Sequence, residues 1–198
     1  MATLTPSFRE FLPVWIARQP WYSGVGVPQA RPVGFYRLED PAGEVGLETH
    51  LLTDGSAVYQ IPMSFRGAPL RELADDDQDD PATALIAEAQ HSELGTRSIY
   101  DAVRDPVWVA AITELIRAEG SASTRSDQAI GPADVRGLRY PAWPGTGAIE
   151  LKRVLVAGPR PEGPNVAGAV MGSWHPAGVD HPATAGCLAV LRARVAAD

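Results

Sequence analysis

The stretch from Val33 to Phe65 constrains this chain more than any other, because three extended runs are separated there only by Pro41-Ala42-Gly43 and by Asp54-Gly55. Asp-Gly between alternating apolar runs is a strong tight-hairpin signal, since Gly takes positive φ without steric cost. The three runs therefore read as an antiparallel meander. In the third, Tyr59, Ile61, Met63 and Phe65 alternate with Val58, Gln60, Pro62 and Ser64. A two-residue period predicts that the first set faces a core, and Pro62, which cannot donate to a ladder, points to an edge strand.

Helices flank the meander. Ser7 precedes Phe8 to Arg18, where Leu12, Trp15 and Ile16 recur at helical spacing; Pro13 is compatible only with a helix that begins there. That helix ends at Gln19-Pro20-Trp21-Tyr22-Ser23-Gly24, whose two adjacent aromatics are suited to pin the loop to a core. The clearest helix starts at Asp105-Pro106, a cap residue with Pro at the first helical position, and stops before Gly120. Val109, Ile112, Leu115 and Ile116 give it a buried stripe, with Trp108 beside it.

Between meander and helix come Ala84 to Gly95, extended or helical, and an extended Arg97 to Ala102. Residues 121–135 are polar and read as a linker. Beyond them, Ile149 to Ala157, Ala167 to Trp174 and Cys187 to Val195 are strand-like. The expected architecture is α+β, with residues 1–120 forming one domain and 121–198 a β-rich region packed on it. A length of 198 residues suffices for one domain or for two small ones.

Charge narrows the function. With a net charge of -7 and no basic run among 17 Lys and Arg, nothing favours a nucleic-acid backbone as partner. No segment approaches the roughly 18 apolar residues of a membrane span and the N-terminus has no leader pattern, so the expected location is the cytoplasm, away from membranes. Cys187 is the one cysteine, which excludes an internal disulfide and a multi-cysteine zinc site.

Four constellations invite chemistry. The run Asp75-Asp76-Asp77-Gln78-Asp79-Asp80 supplies hard oxygen ligands but lacks the spacing, central Gly and distal Glu of a calcium loop, and reads as a solvated loop. His175 and His181 flank Asp180 without a third anchored ligand, and read as surface histidines. His91-Ser92-Glu93 resembles a triad only on paper, because side chains adjacent in sequence rarely face one another. Gly163 to Gly172 is glycine-rich but matches no phosphate-loop motif. No catalytic residue, metal or cofactor is expected. Among the aromatics, Trp143 lies in a loop between Pro141 and Gly145 and is the one expected to be exposed; the others read as core.

Three segments carry a family resemblance. Ala17-Arg18-Gln19-Pro20-Trp21-Tyr22-Ser23-Gly24 resembles the Arg-Gln-Arg-Trp-Tyr-Ala-Gly opening of bacterial maltokinases, with Pro20 in place of the second Arg. Tyr59-Gln60-Ile61-Pro62-Met63 is similar to their Tyr-Gln-Val-Pro-Val strand, and Ile99-Tyr100-Asp101-Ala102 with Asp105-Pro106-Val107 to their Tyr-Asp-Ala…Asp-Pro segment. The resemblance spans residues 8 to about 119 and implies the N-terminal cap, a curved antiparallel sheet packed with helices in a cystatin-like manner. Residues 149–195 resemble the first strands of a kinase-like N-lobe, a remnant in which Pro164-Asn165-Val166-Ala167-Gly168 replaces the nucleotide-covering loop. There Arg192 stands where a kinase carries its ATP-binding Lys, and its fork differs from an ammonium in size and hydrogen-bond geometry. The groups that accept the hydroxyl proton and hold magnesium belong to a second lobe, for which the chain is expected to have no room.

The resemblance implies a binding, docking or regulatory protein without catalysis, linked to maltose, trehalose or α-glucan metabolism. Arg18, Trp21 and Tyr22 are the candidate contacts for a protein partner. The alternative is a protein that binds or processes a sugar or sugar phosphate in a groove between the halves, with Trp143, Trp174, His175 and Arg192 as candidate ligand contacts.

Overall fold

The computed structural model describes residues 2–71, 81–124, 133–141, 143 and 147–193. The acidic run lies outside them. In chain order the elements are β1 (Leu4–Thr5), α1 (Phe8–Ile16), β2 (Arg31–Leu38), β3 (Gly46–Thr53), β4 (Val58–Arg66), β5 (Leu85–His91), β6 (Gly95–Asp101), α2 (Pro106–Arg117), β7 (Arg136–Arg139), β8 (Gly147–Leu151), β9 (Val154–Leu155), β10 (Val166–Trp174) and β11 (Thr184–Ala193). Single 3₁₀ turns at Pro81–Ala84 and Ala102–Arg104 precede β5 and α2. The expected α+β class holds, with strands dominant, and no helix among the described residues is long and apolar enough to cross a membrane.

Among the described residues the first sheet is antiparallel, curled and seven-stranded, in the order β1-β5-β6-β4-β3-β2, with β9 pairing to the start of β4. The meander is β2–β3–β4, and its turns are built by carboxylates. Asp40 accepts from the Ala42, Glu44 and Val45 amides, and Asp54 from the Ser56 and Ala57 amides and the Tyr59 hydroxyl. Gly43 and Gly55 take positive φ at these two turns.

One face of this sheet carries α1. Leu12 and Ile16 pack on Leu52, Ile61, Met63, Ala89 and Ile99, so Ile61 and Met63 face a core as their alternation predicts. The helix starts earlier than its proline suggests: Ser7 caps it through reciprocal contacts with Glu10, and Pro13 lies inside. Replacing an amide there removes one hydrogen bond to the carbonyl of exposed Arg9, a group that water can satisfy. Pro62 also departs from expectation, because β4 is an interior strand with β3 on one side and β6 and β9 on the other. The Gln60 amide points to the β9 side, onto the Arg153 carbonyl at 2.8 Å, so two residues on Pro62 aims its missing donor the same way. That position falls in the gap between β9, paired at Val58 and Tyr59, and β6, paired from Met63 onward.

The opposite face is buried too. Val33, Tyr36, Leu38, Leu47, Leu51 and Val58 pack with Trp108, Ile112, Leu115 and Ile116 of α2 and with Val135, Ala167, Val170, Trp174, Leu188 and Leu191 of the second sheet. That sheet is four-stranded and antiparallel among the described residues, in the order β7-β10-β11-β8. Gly137 and Gly168 let it press against α2, since a Cβ on Gly137 would overlap the Leu115 carbonyl and one on Gly168 the Ile116 side chain. The largest core is thus continuous across residue 120.

Gln60 joins the sheets directly. Fully buried, it accepts from the Tyr36 hydroxyl at 3.0 Å and donates through Nε2 to the carbonyls of Lys152 at 3.0 Å and Leu188 at 2.9 Å. The described ends of the expected linker are likewise fixed. Ser123 exchanges both backbone hydrogen bonds with Arg37 of β2, the Ala122 amide donates to Val135, and Ala133 and Val135 are buried. Short polar side chains hid this pairing, because it is made by the main chain alone.

Candidate functional site

The three segments that carry the family resemblance are far apart in sequence and meet at one place. Trp15 stands near the end of α1, and the turn beyond it is closed by the Gln19 side-chain amide on the Trp15 carbonyl and by the Tyr22 amide on the Gln19 carbonyl. This brings the Trp21 ring to 5.8 Å from Trp15 and 5.7 Å from Tyr59, while Tyr22 meets Tyr59 edge-on at 5.8 Å. Such centroid separations are those of attractive aromatic pairs. The glycine of the Trp-Tyr-Ser-Gly stretch has a steric reason: a Cβ on Gly24 would overlap the folded-back Tyr22 ring.

The third segment enters through Asp101, whose carboxylate pairs with the Arg153 guanidinium. Arg153 comes from the second half of the chain, just ahead of β9, and its Cζ lies 5.7 Å from the Trp21 ring centroid and 6.0 Å from that of Trp15. A guanidinium set against indoles and a carboxylate is well held, because aromatic stacking and ion pairing use different parts of the fork. Its backbone carbonyl is the one that receives the Gln60 amide. Nearby, Arg66 grips Asp105 through Nε–Oδ2 at 2.8 Å and Nη2–Oδ1 at 2.6 Å, and Asp105 also caps α2 through the Val107 amide.

Electrostatics set the cluster's chemistry. Burial, then the hydrogen bond and charge of Asp54, push the Tyr59 phenol up to about 12. Burial acts to raise Asp54 as well, but the Ala57 amide, the Tyr59 hydroxyl and Ser56 outweigh it and hold the carboxyl at about 2. A general acid or base works best with a pKa near the operating pH, and both groups are far from neutrality. The arrangement is suited to recognition. Trp15, Trp21 and Tyr22 are half-buried, and the adjoining loop displays Val25 with no cover at all and Val27 about half exposed. Arg18 is exposed beside them and makes no ion pair among the described residues.

The other sequence candidates do not assemble. Trp174 is a core side chain, 2 % exposed. Arg192 pairs across the sheet with Val166 and Trp174 with Thr184, at opposite ends of β10. At about 3.3 Å per residue, that separates them by roughly 26 Å. Trp143 is half-buried, packed against the main core and lying over Gly168. His175 hydrogen-bonds through its backbone to Val33, with Nδ1 3.3 Å from the His181 carbonyl. Arg192 donates to Glu150 at 2.6 Å, a carboxylate that Lys152 also engages. His91 uses its ring nitrogen to accept the Glu93 and Leu94 amides, closing the β5–β6 turn. Among the described residues no three His, Cys, Asp or Glu gather closely enough to hold a metal ion.

Sequence reasoning singled out Trp21 and Tyr22 but missed Trp15, Tyr59, Asp101 and Arg153 as members of the same cluster. Asp101 and Tyr59 were legible as motif residues; Arg153 left no signal, because its role depends on β9 joining the first sheet.

A curled antiparallel sheet with α1 on one face and an aromatic cluster at the end of that helix defines a protein of α+β class. The family model of the maltokinase N-terminal cap domain matches residues 15–105, which takes in Trp15, the Trp21-Tyr22 turn, β2 to β6 and the α2 cap, so this span is similar to the maltokinase N-terminal cap. No curated protein matches the chain.

Proposed function

We propose that this protein is a non-catalytic docking or regulatory module that binds a protein partner through the Arg18–Val27 turn and its aromatic base. The supporting observation is the convergence of all three family-like segments on the Trp15–Trp21–Tyr22–Tyr59 cluster, with Arg153 clamping it from the second half. A rigid aromatic base rimmed by exposed apolar and cationic side chains has the composition of an interaction hot spot. The non-catalytic reading draws on the resemblance of residues 149–195 to a kinase N-lobe, under which Arg192 would stand in place of the lysine; Arg192 itself is engaged by Glu150. The partner is drawn from the family relationship: an enzyme of maltose, trehalose or α-glucan metabolism in the cytoplasm.

The test is affinity capture from the native lysate with the tagged protein, in parallel with Arg18→Glu and Val25→Asp, two exposed positions whose replacement leaves the core intact. A sugar kinase or glucan-processing enzyme captured by the wild type and lost from both variants is the expected result. Equal capture by all three proteins overturns the surface assignment, and ATP-dependent phosphorylation of maltose by the pure protein overturns the non-catalytic role.

A further inference from the structure

Outside the family-matched span, a cavity of about 410 Å³ opens between the end of β7 and the connection from β9 to β10, lined by Arg139, Tyr140, Pro141, Arg160, Glu162 and Gly163. Its volume falls within the roughly 300–1,000 Å³ of small-molecule sites. The walls are fixed to one another rather than merely adjacent. The Tyr140 hydroxyl donates to the Pro161 carbonyl at 2.8 Å, the Tyr140 amide donates to the Ala167 carbonyl at 3.0 Å, and the Val166 amide closes onto Gly163 at 3.2 Å. Gly163 has φ +146, a conformation that side-chain-bearing residues rarely adopt.

Arg139 and Arg160 come from the two sides of this cavity, and neither makes an ion pair among the described residues. Six other arginines of this acidic protein are matched, Arg37 with Glu48, Arg66 with Asp105, Arg117 with Glu114, Arg136 with Asp134, Arg153 with Asp101 and Arg192 with Glu150; Arg18, like Arg139 and Arg160, is not, but it does not line this cavity. Even Glu162, in the same wall, is paired with neither. Two exposed arginines that line one recess and make no ion pair supply donors for a small oxyanion, because each guanidinium offers a planar fork that suits phosphate or carboxylate. Glu162 can accept from a hydroxyl carried next to that anion, which favours a hydroxylated ester over the bare ion.

We infer that the Arg139–Arg160 cavity is a binding site for a small phosphomonoester. The experiment is calorimetric titration of the full chain with glycerol phosphate and with inorganic phosphate at constant ionic strength, with backbone amide NMR shifts to locate the response. Saturable binding of either probe, shifting the Tyr140 and Gly163 amides and weakened about tenfold or more by Arg139→Ala and by Arg160→Ala, is expected. Arg117→Ala, on the exposed face of α2, leaves the affinity unchanged, and Glu162→Gln tightens inorganic phosphate by relieving charge repulsion. Failure of both probes to saturate, or equal affinity in wild type and both arginine variants, overturns the assignment. Neither result bears on the docking surface, which shares no residue with this cavity.

Discussion

Asp105 shows how much one side chain can settle. It is fully buried, caps α2 and receives both arms of Arg66. Burial alone would raise its carboxyl; the Arg66 fork and the Val107 amide hold it below the ordinary value. A carboxyl lowered in the folded state stabilises the protein above its unfolded value near pH 4, and that contribution is lost as pH falls through the folded value. Asp105→Asn is therefore expected to cost about 3 kcal/mol at pH 7 and to flatten the acid limb of stability, read by urea titrations at pH 7 and pH 3. At the alkaline end the sign reverses. Tyr59, pushed up to about 12, contributes stability that is present below about pH 10 and lost as pH rises toward 12. Tyr59→Phe should cost about 1 kcal/mol at pH 7 and shrink, without abolishing, the alkaline loss in thermal melts between pH 9 and 11.5. The remainder belongs to Tyr36, which burial also raises to about 12.

At the scale of elements, legibility followed the number of sides on which a strand is buried. The Asp54-Gly55 hairpin, the Asp105-Pro106 helix start and the inward set on β4 were readable because each depends on local chemistry or a clean period. The other set on β4 was not: Val58 and Gln60 are as buried as Tyr59 and Ile61, since a second sheet covers what a single-layer reading leaves to solvent. The proline at 62 misled for a related reason, as its missing donor falls where β4 changes partner. β7 was missed because Arg-Gly-Leu-Arg has no apolar alternation to announce it, and Gly137 is there to admit α2. Gln60 is the polar tie between the two sheets. Gln60→Leu keeps the volume but strips donors from the Lys152 and Leu188 carbonyls and an acceptor from Tyr36, so it should cost about 2–4 kcal/mol. Thermal melting should then fall by several degrees, roughly 2–4 °C per kcal/mol for a chain of this size.

For the molecule as a whole, the site and the core make the same point. The family-like span supplies Trp15, Trp21, Tyr22, Tyr59 and Asp101, but the residue that clamps them, Arg153, comes from beyond it. Its place depends on β9 in the first sheet and on a core drawn from both sides of residue 120. The candidate site was therefore half legible in the sequence: the motif residues could be marked, and their convergence could not. The cap-like sheet and the second sheet are accordingly expected to fold and open as one unit. Native-state hydrogen exchange across a urea series tests this most directly, comparing amides of β3 and β4 with those of β10 and β11. Both sets are predicted to merge into one opening with a common free energy and urea dependence. An opening confined to β10 and β11, at lower free energy and with β3 and β4 still protected, would contradict a shared core.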